Sequence, residues 1–235
     1  MADKLDVRVY PIDEPKGDTR AFASIAVNDL VAIRGIRVVE DDKGLFITMP
    51  QSYDKKTDKY HDIAFPLSGD LRKEFTKAVL GEHDRQINLP LDERGYPPPD
   101  KDAAIEINVD EVKLDIRVYP LDDPKGNVQA FASVSVDNLI AIRGVRIVEG
   151  DEGLFVSMPQ TQDKRLNYHD VAFPLTKELR DEITKIAVEK LETPEKSVDR
   201  KQSLANKLAD GVNKAAGHTS PEKTAAKSIN TGVLE

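Results

Sequence analysis

The chain carries one long motif twice. LDVRVYPIDEPKG at Leu5 returns as LDIRVYPLDDPKG at Leu114, and AFASIAV at Ala21 returns as AFASVSV at Ala130. LVAIRGIRVVEDDKGLFITMPQ at Leu30 returns as LIAIRGVRIVEGDEGLFVSMPQ at Leu139, and YHDIAFPL at Tyr60 as YHDVAFPL at Tyr168. Most replacements exchange Ile, Val and Leu, which keeps volume and pattern. The copies differ in length by one residue, in the loop after Gln51. A spacing of 109 residues between Leu5 and Leu114 far exceeds the period of a stacked solenoid, so the copies read as two small domains.

Each copy has the same predicted elements. Asp6 to Tyr10 is a short strand with Val7 and Val9 on one face and Arg8 and Tyr10 on the other. Pro11, Pro15 and Gly17 break the chain into a loop. From Arg20 to Val27, Phe22, Ser24 and Ala26 alternate with Ala23, Ile25 and Val27. Asn28-Asp29, or Asp137-Asn138 in the second copy, makes a tight hairpin turn. The β-branched run Val31, Ile33, Ile36, Val38 and Val39 favours a strand. An acidic turn closed by Gly44 leads to Leu45 to Met49, which Pro50 stops. A polar loop follows, SYDKKTDK or TQDKRLN, and then a fifth strand from Tyr60 to Phe65.

Ser68 or Thr176 is placed to cap a helix. Leu71, Phe75, Ala78 and Val79 recur at helical spacing, as do Leu179, Ile183, Ile186 and Ala187. Gly81 is expected to end the first helix, and the second is expected to run to about Leu191. The expected fold is α+β: two tandem two-layer units, each an antiparallel sheet of about five strands with a C-terminal helix. The units span residues 1–85 and 114–192. Residues 86–113 form an acidic linker whose Pro97, Pro98 and Pro99 favour an extended spacer. Within it, Ile105, Ile107 and Val109 alternate as in an added edge strand. Residues 193–235 read as a flexible Lys- and Ala-rich tail.

The chain has no cysteine, which excludes disulfides, thiolate nucleophiles and thiolate metal sites. The opening MADKLDVRVY lacks the pattern of a secretory signal, and no apolar run is long enough to span a bilayer. The expected location is cytoplasmic, with no membrane partner. The net charge of −8 argues against strong nonspecific binding of polyanions but leaves room for a local basic patch.

The order DVRVYP, AFASI, IRGIRVVEDDKGLFITMP, a short basic loop, YHDIAFP and a helix resembles the SpoVG family of septation and stage V sporulation regulators. The resemblance covers nearly all of 5–83 and again 114–191. It implies an α+β fold, binding of DNA or RNA, and a regulatory role touching cell division or sporulation. Members of the family usually resemble homodimers of one such unit, so two units in one chain imply a fused pseudo-dimer. Whether the units pair within one chain or between chains stays open at this point. The loop and helix depart from the family's more basic pattern, since Asp54, Asp58, Asp70 and Glu74 are interspersed there.

Candidate nucleic-acid contacts follow. Arg34 and Arg37, with Arg143 and Arg146, suit phosphate through their forked donors; strict alternation assigns the two of each pair to opposite faces. The alternative is a salt bridge or a solvated sheet face. Lys55, Lys56 and Lys59, with Lys164 and Arg165, sit on the loop, and Arg72, Lys73 and Arg180 sit at the helix start. Together they form a candidate basic edge, and the loop is the favoured place for binding. Tyr53 and Tyr60 offer stacking, though Gln162 replaces Tyr53 in the second copy. His61-Asp62 and His169-Asp170 are adjacent on strands, a poor geometry for a general-base dyad. No catalytic residue, metal or other cofactor is expected. A protein-interaction or assembly module working through its sheet edges is the alternative function.

Overall fold

The computed structural model describes residues 3–55, 57–95, 108–124, 126–162 and 166–193. Lys56, Lys164 and Arg165, the triple proline, Ile105, Ile107 and the expected tail lie outside the described residues.

The first copy consists of β1 (Leu5–Pro11), β2 (Thr19–Val27), β3 (Val31–Asp41), β4 (Gly44–Thr48), β5 (Gln51–Asp54), β6 (Lys59–Asp62), β7 (Ala64–Pro66) and helix α1 (Gly69–Ile87). The second repeats them as β8 (Leu114–Pro120), β9 (Val128–Val136), β10 (Ile140–Gly150), β11 (Gly153–Ser157), β12 (Gln160–Gln162), β13 (Tyr168–Asp170), β14 (Ala172–Pro174) and α2 (Lys177–Glu192). The architecture is α+β, with two antiparallel sheets and a helix after each.

Alternation builds the sheets. Ala21, Ala23, Ile25 and Val27 of β2 are buried, and Phe22 between them is exposed. Asn28 and Asp29 both take positive φ, 51° and 56°, and Asp137 and Asn138 take 51° and 55°. That conformation matches the twist of a tight hairpin and is least costly for Asn and Asp among residues other than Gly. The turns also anchor the first strands. The Asn28 side chain accepts the Lys4 N–H at 2.7 Å, and the Asp137 side chain accepts the Lys113 N–H at 2.8 Å.

The last short strand of each copy crosses to the other. β3 is long, and β4 pairs only with its far half, Arg37 to Asp41. The near half, Val31 to Ile33, is completed by β14 of the second copy, with Ile33 opposite Ala172 and Val31 opposite Pro174. Reciprocally, β7 of the first copy pairs with β10, with Ile142 opposite Ala64 and Ile140 opposite Pro66. Each five-stranded sheet therefore contains four strands of its own copy and one of the other.

Leu71, Phe75 and Val79 of α1 are buried under the first sheet, and Leu179, Ile183 and Ala187 of α2 under the second. Ser68 Oγ accepts the Leu71 N–H at 3.0 Å, and Thr176 Oγ1 accepts the Leu179 N–H at 3.3 Å, as capping predicts. One apolar core links both sheets where Val27, Leu30 and Val31 approach Val136, Leu139 and Ile140. The described residues up to Thr193 accordingly form one compact body.

Four local expectations change. α1 runs through Gly81 to Ile87, because His83 and Gln86 continue its buried stripe. The polar loop is the two-stranded arm β5–β6, matched by β12–β13. The strand expected over 60–65 breaks at Ile63, whose N–H donates to the Pro50 carbonyl at 2.8 Å. That break lets β6 remain in its arm while β7 joins the other sheet. In the linker, Val109 belongs to a short 3-10 turn, Val109–Glu111, rather than to a strand.

Candidate nucleic-acid interface

The paired arginines share a face. In β3, Ile36 lies opposite Ala23 while Arg34 lies opposite Ser24, so Gly35 is an extra residue. Gly35 takes φ of 77°, and Gly144 in the same place of the second copy takes 73°. A bulge of this kind shifts the alternation by one residue. Arg34 and Arg37 therefore both point away from the buried face that Ile33, Ile36 and Val38 share, and Arg143 and Arg146 do likewise. The expectation of opposite faces fails at the bulge.

Each first arginine is set by the other copy. The Arg34 N–H donates to Val171 O at 2.7 Å, and the Arg34 guanidinium lies 4.7 Å from the centroid of the Phe173 ring. The Arg143 N–H donates to Ile63 O at 2.7 Å, and its guanidinium lies 4.6 Å from the Phe65 centroid. Among the described residues, none of Arg34, Arg37, Arg143 and Arg146 has a carboxylate within 4.0 Å; Arg146 donates to Ser157 Oγ at 3.2 Å.

The cations on the helices are engaged differently. Arg72 approaches Asp62 at 3.4 Å, Lys73 approaches Asp70 at 2.9 Å, and Arg180 approaches Asp170 at 3.7 Å. Exposed Lys55 and Lys59 sit on the β5–β6 arm beside Asp54 and Asp58. On that arm Tyr53 and Tyr60 face each other with ring centroids 5.1 Å apart. A hydrogen bond from the Tyr53 hydroxyl to Asp58 raises the Tyr53 pKa above its ordinary value. The corresponding pair in the second copy is Gln162 and Tyr168.

The arms and the sheet faces enclose two related clefts. One, of about 350 Å³, brings Arg34, Arg37 and Tyr60 of the first copy against Thr161 and His169 of the second. The other, of about 290 Å³, brings Arg143, Arg146 and Tyr168 against Ser52 and His61. Tyr60 and His61 are neighbours on β6, so the pleat sends them to different clefts. Asp62, which lines the second cleft with His61, is held by Gln51 Nε2 at 2.8 Å and approached by Arg72 at 3.4 Å. The first cleft continues past Phe22 into a groove of about 550 Å³ over β1, β2 and Phe173.

A SpoVG family profile matches residues 2–85 and 112–193. The chain belongs to the SpoVG family. A relative from Archaeoglobus fulgidus named as the septation protein SpoVG is 42% identical over 69 residues, which is 80% of that protein and 29% of this chain. One from Myxococcus xanthus with the same name is 36% identical over 83 residues, 81% of its length and 35% of this chain. One from Caldicellulosiruptor saccharolyticus, also so named, is 33% identical over 78 residues, 88% of its length and 33% of this chain. These relatives are one SpoVG unit long, and this chain holds two.

The SpoVG sheets also present residues that the sequence reading did not select. Phe22 and Phe131 are 48% and 42% exposed, each opposite an arginine, Arg37 or Arg146. Tyr10 and Tyr119 are exposed opposite those phenylalanines. The signal was present in AFAS, where a phenylalanine shares the strand face of a serine.

Proposed function

We propose that this chain is a non-enzymatic nucleic-acid-binding regulatory protein acting in septation, a fused SpoVG pseudo-dimer. The observation that carries this reading is the pair of arginines on each sheet face without a carboxylate partner among the described residues. A guanidinium so placed offers its donors to phosphate without first breaking an ion pair. The septation names of the relatives support the cellular setting. Phosphate contacts position the ligand, and binding falls steeply with salt because counterions are released.

Fluorescence titration of labelled DNA and RNA at two salt concentrations tests it. The expected result is binding at low salt that weakens markedly at the higher concentration; no binding at low salt overturns the reading. The net charge of −8 favours a second reading, a protein-interaction module. Under that reading, charge reversal at the arginines leaves partner recovery unchanged.

A further inference from the structure

Resting on the nucleic-acid reading, we infer that the ligand is an unpaired strand, held in clefts to which both copies contribute, with bases stacked on Phe22, Tyr60 and their counterparts Phe131 and Tyr168. Arg37 lies opposite Phe22 on adjacent strands, and Tyr60 closes the same cleft. In the other copy Arg146 lies opposite Phe131, and Tyr168 closes the cleft. Tyr60 and Tyr168 are 67% and 66% exposed. Cations interleaved with open aromatic rings fit a backbone whose bases are free to turn inward and stack; in a duplex those faces are already covered.

A duplex is read by a helix or a two-stranded ribbon entering its major groove. Both helices pack against the inner faces of the sheets, and several of their cations are paired, as in Arg85–Glu82 at 2.6 Å and Lys185–Glu182 at 3.2 Å. The β5–β6 ribbon carries Asp54 and Asp58 beside its lysines, which opposes insertion between phosphates. On the sheet face the carboxylates nearest the groove are engaged: Asp6 lies 3.6 Å from Arg8, Asp29 lies 2.6 Å from Lys4, and Asp170 accepts from Gln160 Nε2 at 2.9 Å. The cleft arginines therefore supply the open positive charge.

Each cleft is composite. His169 reaches the Arg34 cleft from the second copy, and His61 reaches the Arg143 cleft from the first. Two such clefts with alternating contributions form a paired surface for one strand or for two segments of it.

The full-length chain is titrated at low salt with a non-self-complementary oligonucleotide, as DNA and as RNA, and with the same sequence annealed to its complement. The expected result is that at least one unpaired form binds about tenfold or more tightly than its duplex. The chain contains tyrosine and no tryptophan, so quenching of tyrosine emission by the unpaired strand reports stacking directly. Phe22→Ala with Phe131→Ala is expected to weaken unpaired-strand binding about tenfold or more while circular dichroism stays unchanged. Tyr60→Ala with Tyr168→Ala is expected to reduce the quenching, and Tyr60→Phe with Tyr168→Phe to retain the affinity. Equal or tighter binding of the duplex overturns this inference while leaving the nucleic-acid reading standing. So does full affinity in both alanine double variants. Absence of binding to every form overturns both.

Discussion

The guanidinium of Arg34 rests 4.7 Å from the ring centroid of Phe173, a residue of the other copy, on a strand that completes the Arg34 sheet. Arg143 and Phe65 repeat the contact in reverse. The strand exchange and the placement of the arginines are therefore one arrangement. Phe173→Leu and Phe65→Leu keep an apolar side chain but remove the ring. Each is expected to cost about 0.5–1 kcal/mol in urea denaturation. Arg34→Ala added to Phe173→Leu should then cost less than its effect in the native chain; full additivity would remove the ring contact as a source of stability.

Cutting the linker should not separate the copies. β7 and β14 bind each copy to the sheet of the other, and the apolar core is continuous between them. With a protease site inserted within 96–107 and cleaved, the fragments are expected to elute together in native size exclusion. They should separate only under denaturing conditions. Separation into two free fragments under native conditions would contradict the exchange.

The bulge glycines set the arginine faces. Gly35 has φ of 77°, and a Cβ there would meet Pro50 Cβ at 3.7 Å, an ordinary contact. The demand for glycine therefore comes from the backbone conformation rather than from space. Gly35→Ala and Gly144→Ala are each expected to destabilise by about 1–2 kcal/mol in denaturant unfolding. A neutral effect would mean that the bulge relaxes without loss.

Charge reversal separates the sheet face from the arm. Arg37→Glu with Arg146→Glu is expected to abolish nucleic-acid binding at moderate salt. Lys55→Glu with Lys59→Glu should weaken it only severalfold, since Asp54 and Asp58 already offset those lysines. The opposite order of effects in anisotropy titrations would move the interface to the arm.

The caps should act independently. Ser68→Ala and Thr176→Ala each leave a first-turn N–H, of Leu71 or Leu179, without its side-chain acceptor. Each is expected to lower stability by about 1 kcal/mol, and the two losses should add.

Much of the fold was legible because its causes are local. Asn28-Asp29 announced a hairpin, Ser68 and Thr176 announced helix starts, and the alternation in AFASIAV announced a half-buried strand. Gly81 misled because a glycine at an exposed helix position costs only about 1 kcal/mol, and the buried stripe of the helix continues beyond it at His83 and Gln86. The candidate site was half legible. Arg34 and Arg37 were selected by residue type, but their shared face was not, because simple alternation misses a bulge. A lone glycine inside a β-branched run was the available sign.

The sequence by itself determined the duplication, the family, the two-layer α+β units and the positions of turns and caps, since each rests on contacts within a few residues or on periodicity. Only the tertiary structure decided which sheet receives β7 and β14. The two recipient strands are nearly identical, VAIRGIR and IAIRGVR, so local pairing chemistry does not distinguish them. The choice depends on the break at Ile63 and on the chain path between the sheets. That same path carries Phe173 and His169 to Arg34, residues far apart in sequence whose meeting no local pattern encodes.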